Sequence, residues 1–199
     1  MSVIDRNLFR DTLLAELRSA WQSLRAARPA ERFYSFGLYT TELAEYLMVT
    51  ASTEEGLTVA TEKYLARNSR DPNLTRASLR WSPCDSPIHE EASDLLPKSA
   101  ALRAAGPNPY DETQESVDTV SFLFDVAVDV LKQLDRERLF GTGLERARLV
   151  LGIWKGDQSD EEHLEFARRL NPKSVLERFA QELDAGNEAF VELSRARRG

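Results

Sequence analysis

Between Arg6 and Ala27 the apolar residues Phe9, Leu13, Leu17, Trp21 and Leu24 recur at spacings of three and four, which predicts an amphipathic helix closed by Pro29. From Phe33 to Thr41 the pattern changes to aromatic and alternating, with Tyr34, Phe36 and Leu38 set against Phe33, Ser35, Gly37 and Tyr39. That is the signature of a strand. A polar turn at Glu42 to Glu45 leads into a second strand from Tyr46 to Ala51, so the simplest connection is an antiparallel hairpin. Ser52 and Glu55 form a Ser-x-x-Glu box that opens a helix carrying Leu57, Ala60, Tyr64 and Leu65 as far as Arg67. After a polar loop from Asn68 to Asn73, alternation returns over Arg76 to Trp81 and predicts a third strand.

Pro83, Pro87, Pro97, Pro107 and Pro109 then punctuate residues 82–111, which allows only short helices, at Glu90 to Leu96 and Lys98 to Ala105, with Gly106 as a stop. Thr113 to Asp135 returns to helical spacing through Val117, Val120, Phe124, Ala127, Val128 and Leu131, with Asp111 available as a cap. Beyond a Gly141-Thr142-Gly143 turn, the near-continuous apolar run Arg148 to Trp154 reads as a central strand covered on both faces. A second box, Ser159 and Glu162, opens a helix through Leu170. A final helix follows, with Asn171 as cap, Pro172 in the first turn and Val175, Leu176, Phe179 and Leu183 on its buried face. Gly186 is expected to interrupt it before a last segment packed by Phe190, Val191 and Leu193.

These elements predict a single α+β domain over residues 1–199, in which a four- to five-stranded, mainly antiparallel sheet is covered by helices. Two connections contain helices, so a parallel pair of strands stays open. A chain of 199 residues can bury a core of its own, and 42% hydrophobic with 30% charged residues is ordinary globular chemistry.

Charge and cysteine content narrow the setting. The formal charge of −7 opposes general nucleic-acid binding and favours a basic partner. The basic cluster Arg195, Arg197 and Arg198 is adequately explained as a helix end that complements the macrodipole. No apolar run is long enough to span a membrane, the N-terminus lacks secretory-signal character, and the single Cys84 cannot form an internal disulfide. Cytoplasm is the expected location.

Catalytic signatures are sparse. There is no phosphate loop, no Gly-x-Gly-x-x-Gly and no Gly-x-Ser-x-Gly elbow, and neither His89 nor His163 belongs to a His-Glu-x-x-His pair. No cofactor and no metal are expected. His89-Glu90-Glu91 reads more simply as a solvated helix start than as metal ligands, and Cys84 more simply as a small buried side chain than as a thiolate paired with His89. Glu54 and Glu55 suit a helix N-terminus. The most distinctive local set is Arg80, Trp81 and Asp85, with His89 nearby: a guanidinium, an indole, a carboxylate and an imidazole that could line one cleft. The plainer reading is an Arg80–Asp85 pair closing a loop over a core tryptophan.

Four stretches carry a family likeness: Phe33-Tyr34-Ser35-Phe36, Ser52-Thr53-Glu54-Glu55, Arg80-Trp81-Ser82-Pro83 with Asp85, and Leu170-Asn171-Pro172. In that order they resemble an uncharacterised, mainly bacterial family, domain of unknown function 4303. The family tends to place an aromatic residue after the aspartate, whereas Ser86 stands here. The resemblance implies a fold and brings no established activity. Two functional readings follow. The first is a non-enzymatic protein-binding domain, of the immunity type that masks a toxin or another basic protein. The second is an enzyme or small-ligand protein using a cleft near Arg80, Trp81, Asp85 and His89.

Overall fold

A computed structural model describes residues 4–68, 70–156 and 159–196. Arg197 and Arg198 of the C-terminal basic cluster lie outside the described residues. The long first helix, α1 (Arg6–Ala27), is capped by Asp5, which accepts from the backbone N–H groups of Asn7 and Leu8. It leads into β1 (Phe33–Thr40) and β2 (Met48–Thr53), then α2 (Glu54–Leu65) and α3 (Pro72–Leu79). Through the proline-rich stretch run a short 3-10 turn (Pro83–Asp85), α4 (Pro87–Glu91) and α5 (Pro97–Ala104). The chain finishes with α6 (Gln114–Arg136), α7 (Gly143–Arg148), β3 (Val150–Lys155), α8 (Asp160–Leu170) and α9 (Lys173–Ala196).

The sheet corrects the expectation of four or five mainly antiparallel strands. It is a three-stranded mixed sheet of order β2-β1-β3, with β1 antiparallel to β2 and parallel to β3, in a single, mostly helical α+β domain. The predicted hairpin of β1 and β2 is present. The predicted third strand is not: residues 72–79 are helical, and Thr75 and Leu79, four apart, are the buried pair. Asp71 caps this helix through Asn73 and Leu74, and Pro72 occupies its first turn. That start signal outweighs the alternation of Ala77, Leu79 and Trp81.

β3 lies at the edge rather than the centre. At Leu151 its outer backbone is nevertheless paired, because Asn171 behaves like a fragment of a neighbouring strand. Asn171 Oδ1 accepts from Leu151 N–H at 2.9 Å, and Asn171 Nδ2 donates to Leu151 C=O at 2.7 Å and to Ala167 C=O at 3.0 Å. The residue expected to cap α9 is thus turned onto the sheet edge, where unpaired groups invite association. On the opposite edge, Ser86 Oγ donates to the carbonyl of Ala51.

One face of the sheet, through Phe36, Leu38, Leu151 and Ile153, joins α1 and α6 in the largest core cluster. Trp21 sits within it, edge-on to Phe33, Phe36 and Phe140, and its indole N–H donates to the carbonyl of Leu139 at 3.0 Å. The other face carries two smaller clusters: Val150, Ala167, Val175, Phe179 and Leu183, and Tyr34 with Leu57, Ala60 and Leu79. Tyr34 belongs there because the β1–β2 register shifts between Phe33 and Ser35, and a bulge takes a side chain out of simple alternation. On that same face Gly37 pairs with Gly152, and the ring of Trp154 covers both glycines.

Several boundaries differ from expectation for local reasons. Thr53, not Ser52, caps α2 by accepting from Gly56 N–H, and Thr113, not Asp111, caps α6. The Ser159–Glu162 box opens α8 as expected. Gly186 does not interrupt α9. It lies where the helix passes α3, and a Cβ there would come within 3.1 Å of the Ala77 carbonyl oxygen, so the missing side chain permits the close approach.

Candidate functional site

The candidate residues lie on the sheet face covered by α2, α3 and α9. Arg80, at the C-terminal end of α3, organises this region. Its Nη2 meets Glu54 Oε1 at 2.7 Å, its Nη1 meets Glu54 Oε2 at 3.2 Å, and its Nε meets Glu182 Oε2 at 2.8 Å. One guanidinium therefore ties the first turn of α2 to the middle of α9, a fork geometry suited to arginine. Arg76 Nη2 adds a 2.6 Å contact to Glu54, and Arg178 approaches Glu182 at 3.5 Å. The Arg80 guanidinium lies 4.5 Å from the centre of the Tyr34 ring, whose hydroxyl donates to the carbonyl of Arg80 at 2.6 Å. Burial pushes the Tyr34 phenol up to about 12, against opposing contributions from Ser52 and Arg80.

Glu54 experiences competing effects. Burial raises its pKa, but the hydrogen bonds and charge of Arg80 and Arg76 more than offset this and leave the carboxyl below its ordinary value. Glu54 is thus an ion-pair anchor as well as a first-turn acid, and Glu55 binds the Arg32 side chain and backbone.

The four predicted residues do not meet in one cleft. Arg80 and Trp81 share the Tyr34 environment, Trp81 lying edge-on to Tyr34 at 5.2 Å and to Phe179 at 4.6 Å. Asp85 does not pair with Arg80: it accepts from Ser82 at 2.6 Å and from Tyr64 at 2.8 Å. His89 is half-buried against β2 rather than solvated, with Nδ1 3.1 Å from Thr50 Oγ1 and its ring edge-on to Tyr39 at 4.7 Å. Cys84, expected to be buried, is exposed.

A family model, "Domain of unknown function (DUF4303)", matches residues 13–172, most of the chain. The chain belongs to the DUF4303 family. No curated protein and no solved structure matches it. The four stretches that carry the likeness occupy structural junctions in this DUF4303 domain. Tyr34, Glu54 and Arg80 form the hub just described, and Asn171 pairs the outer backbone of Leu151 in β3.

Two cavities flank the hub. One, of about 540 Å³, lies between α2 and the proline-rich segment and is lined by Val59, Tyr64, Arg67, Cys84, Asp85 and Glu90. The second, of about 200 Å³, lies between α3, α8 and α9 and holds Trp81 with His163, Asp160, Asn187, Leu183 and Phe190. Sequence weighs His163 only as a zinc ligand and Phe190 only as a packing residue, and nothing in their spacing brings them to one cavity; Phe190 and Val191, expected to pack, are exposed. Among the described residues no cluster of three or more His, Cys, Asp or Glu is placed to hold a metal, and no helix is long and apolar enough to cross a membrane.

Both histidines are held below their ordinary value of 6.5 by burial, in His163 partly opposed by Asp160 and Glu162. Because each binds its proton more readily when unfolded, their contribution is full above 6.5 and is lost as the pH falls through the lower folded values. The urea midpoint should therefore hold above pH 6.5, decline as the pH falls below it, and decline further below 4.5 as Glu54 protonates. A His89→Gln/His163→Gln protein should lose the first step. A midpoint that rises on acidification to about pH 5 would contradict this assignment.

Proposed function

We propose that this protein is a non-enzymatic binding domain whose outer α9 surface covers a basic protein partner, in the manner of an immunity-type protein that masks a toxin. The observation that carries this reading is a ladder of exposed carboxylates, Asp184, Glu188 and Glu192, spaced four apart on α9 and without an ion-pair partner among the described residues. Like charges at that spacing destabilise a helix, so folding alone gives no reason for them. Val191, 45% exposed, borders this stripe, so acidic and apolar surface occur together.

Two further facts support the reading. The net charge of −7 supplies a field that would speed encounter with a basic surface. In addition, Arg80, Asp85 and His89 are already engaged by neighbouring side chains. Tagged protein at endogenous level should capture a stoichiometric basic partner that is released by a Glu188→Lys substitution and by raised salt. Equal capture by both proteins would remove α9 as the contact. The second reading, a small-ligand protein, finds its support in the cavity that Asp85 lines rather than in the four residues as a set.

A further inference from the structure

The larger of the two cavities beside the hub is polarised. Its α2 wall carries Lys63 and Arg67, one helical turn apart, and its opposite wall, formed by the 3-10 turn and α4, carries Asp85 and Glu90. Both cations therefore stand on one side of a space of about 540 Å³ and both carboxylates on the other. Lys63, Arg67 and Glu90 are exposed and have no ion-pair partner among the described residues. Asp85 accepts from Ser82 and Tyr64 and retains a lone pair on each oxygen. Elsewhere on α2 opposite charges close on each other, Glu54 with Arg76 and Arg80, and Glu55 with Arg32. A place near a helix C-terminus suits Lys63 and Arg67, but it does not account for two carboxylates held across an open space from them. The walls are fixed before anything binds. A Cβ on Gly56 would lie 3.4 Å from Pro87 Cδ, so the start of α2 already packs on α4, and the Tyr64 hydroxyl ties α2 to Asp85 at 2.8 Å. Apolar lining is also present, in Ala60, Pro87 and Val59, the last 56% exposed.

We propose that this cavity binds a short zwitterionic peptide with apolar side chains, its carboxylate on Lys63 and Arg67 and its ammonium on Glu90 beside Asp85. A ligand of a single charge is disfavoured, since an anion would also meet Asp85 and Glu90, and a cation would also meet Lys63 and Arg67. An extended dipeptide separates its termini by about 7 Å, so it can address charges that stand too far apart to pair with each other. Its side chains would lie on Val59, Ala60 and Pro87, and the volume is that of an ordinary small-molecule site. No residue of the carboxylate ladder on α9 lines this cavity, so the two sites are independent.

Cys84 lines the same cavity, is exposed and is the only thiol of the chain, so its alkylation reports occupancy directly. The test follows the reaction of the full-length protein with iodoacetamide, an uncharged reagent, by intact mass at increasing concentrations of L-alanyl-L-leucine. The rate should fall saturably. N-acetyl-L-alanyl-L-leucine, which lacks the ammonium, and L-alanyl-L-leucinamide, which lacks the carboxylate, should each need about two- to ten-fold higher concentration for half-protection, the worth of one exposed charged contact. Lys63→Gln and Glu90→Gln should raise the half-protecting concentration of the free dipeptide by a similar factor, and in Lys63→Gln the loss caused by amidation should shrink. Both positions are exposed, so neither substitution threatens the fold. Absence of saturable slowing up to the solubility of the dipeptide would overturn the proposal, and so would equal protection by the two capped peptides.

Discussion

Replacing Gly37 by alanine should destabilise the protein by at least about 3 kcal/mol, read from urea denaturation and from loss of the near-ultraviolet circular dichroism of packed tryptophan. A Cβ at residue 37 would stand 1.9 Å from the carbonyl oxygen of Gly152 and 2.9 Å from the Trp154 ring. The first of these neighbours is backbone in the adjacent strand, so relief requires β1 and β3 to separate. At Gly152 the obstacle is instead the Trp154 ring, at 2.7 to 3.0 Å from an added Cβ. That ring is only 3% exposed and cannot swing into solvent without opening the core. A Gly37→Ala protein within about 1 kcal/mol of wild type would mean that the pinch between the strands is not a feature of the fold.

Arg80→Ala should cost about 2–4 kcal/mol, somewhat below the range for a fully buried pair because the side chains of Arg80, Glu54 and Glu182 keep 19%, 22% and 27% exposure. Alanine would leave two carboxylates facing one another across the α2–α9 junction and would remove the cation above the Tyr34 ring. Lysine preserves charge but not the fork, so Arg80→Lys should recover only part of the loss. In a double-mutant cycle with Glu54→Gln, the second substitution should cost markedly less once Arg80 is gone. An Arg80→Ala protein of unchanged stability would show that this arginine does not hold the fold together.

How much of this was legible in the sequence depends on whether the deciding interaction was local. The boundaries of α1 follow from its apolar stripe and the proline after it, and the Ser159–Glu162 box marks the start of α8 from two residues alone. Strand β1 was readable, but the bulge at Tyr34 was not, because register depends on the partner strand. At residues 72–79 two local signals conflict, and the Asp71-Pro72 helix start outweighs the alternation that follows it. The missing strands follow from reading residues 76–81 as extended and β3 as central, when β3 is an edge strand whose outer Leu151 groups are paired by an asparagine twenty residues later.

The candidate site was legible only as a neighbourhood. Sequence could single out Arg80, Trp81, Asp85 and His89, but not that Glu182, a hundred residues away, takes the arginine, or that Tyr64 and Ser82 take the aspartate. His163 approaches Trp81 only through the packing of α8 and α9 against α3. The carboxylate ladder, by contrast, was present in the chain all along. It gained meaning once the structure showed that α9 continues through Gly186 and leaves that stripe exposed.

The central claim is that α9 keeps this ladder for a partner and at some expense to its own stability, and the single substitution Glu188→Lys tests both halves at once. A lysine between Asp184 and Glu192 turns two like-charge pairs into two opposite-charge pairs. The account predicts a protein more stable by about 0.5–1 kcal/mol that no longer captures its basic partner. A variant that retains the partner, or one that loses stability, would contradict it.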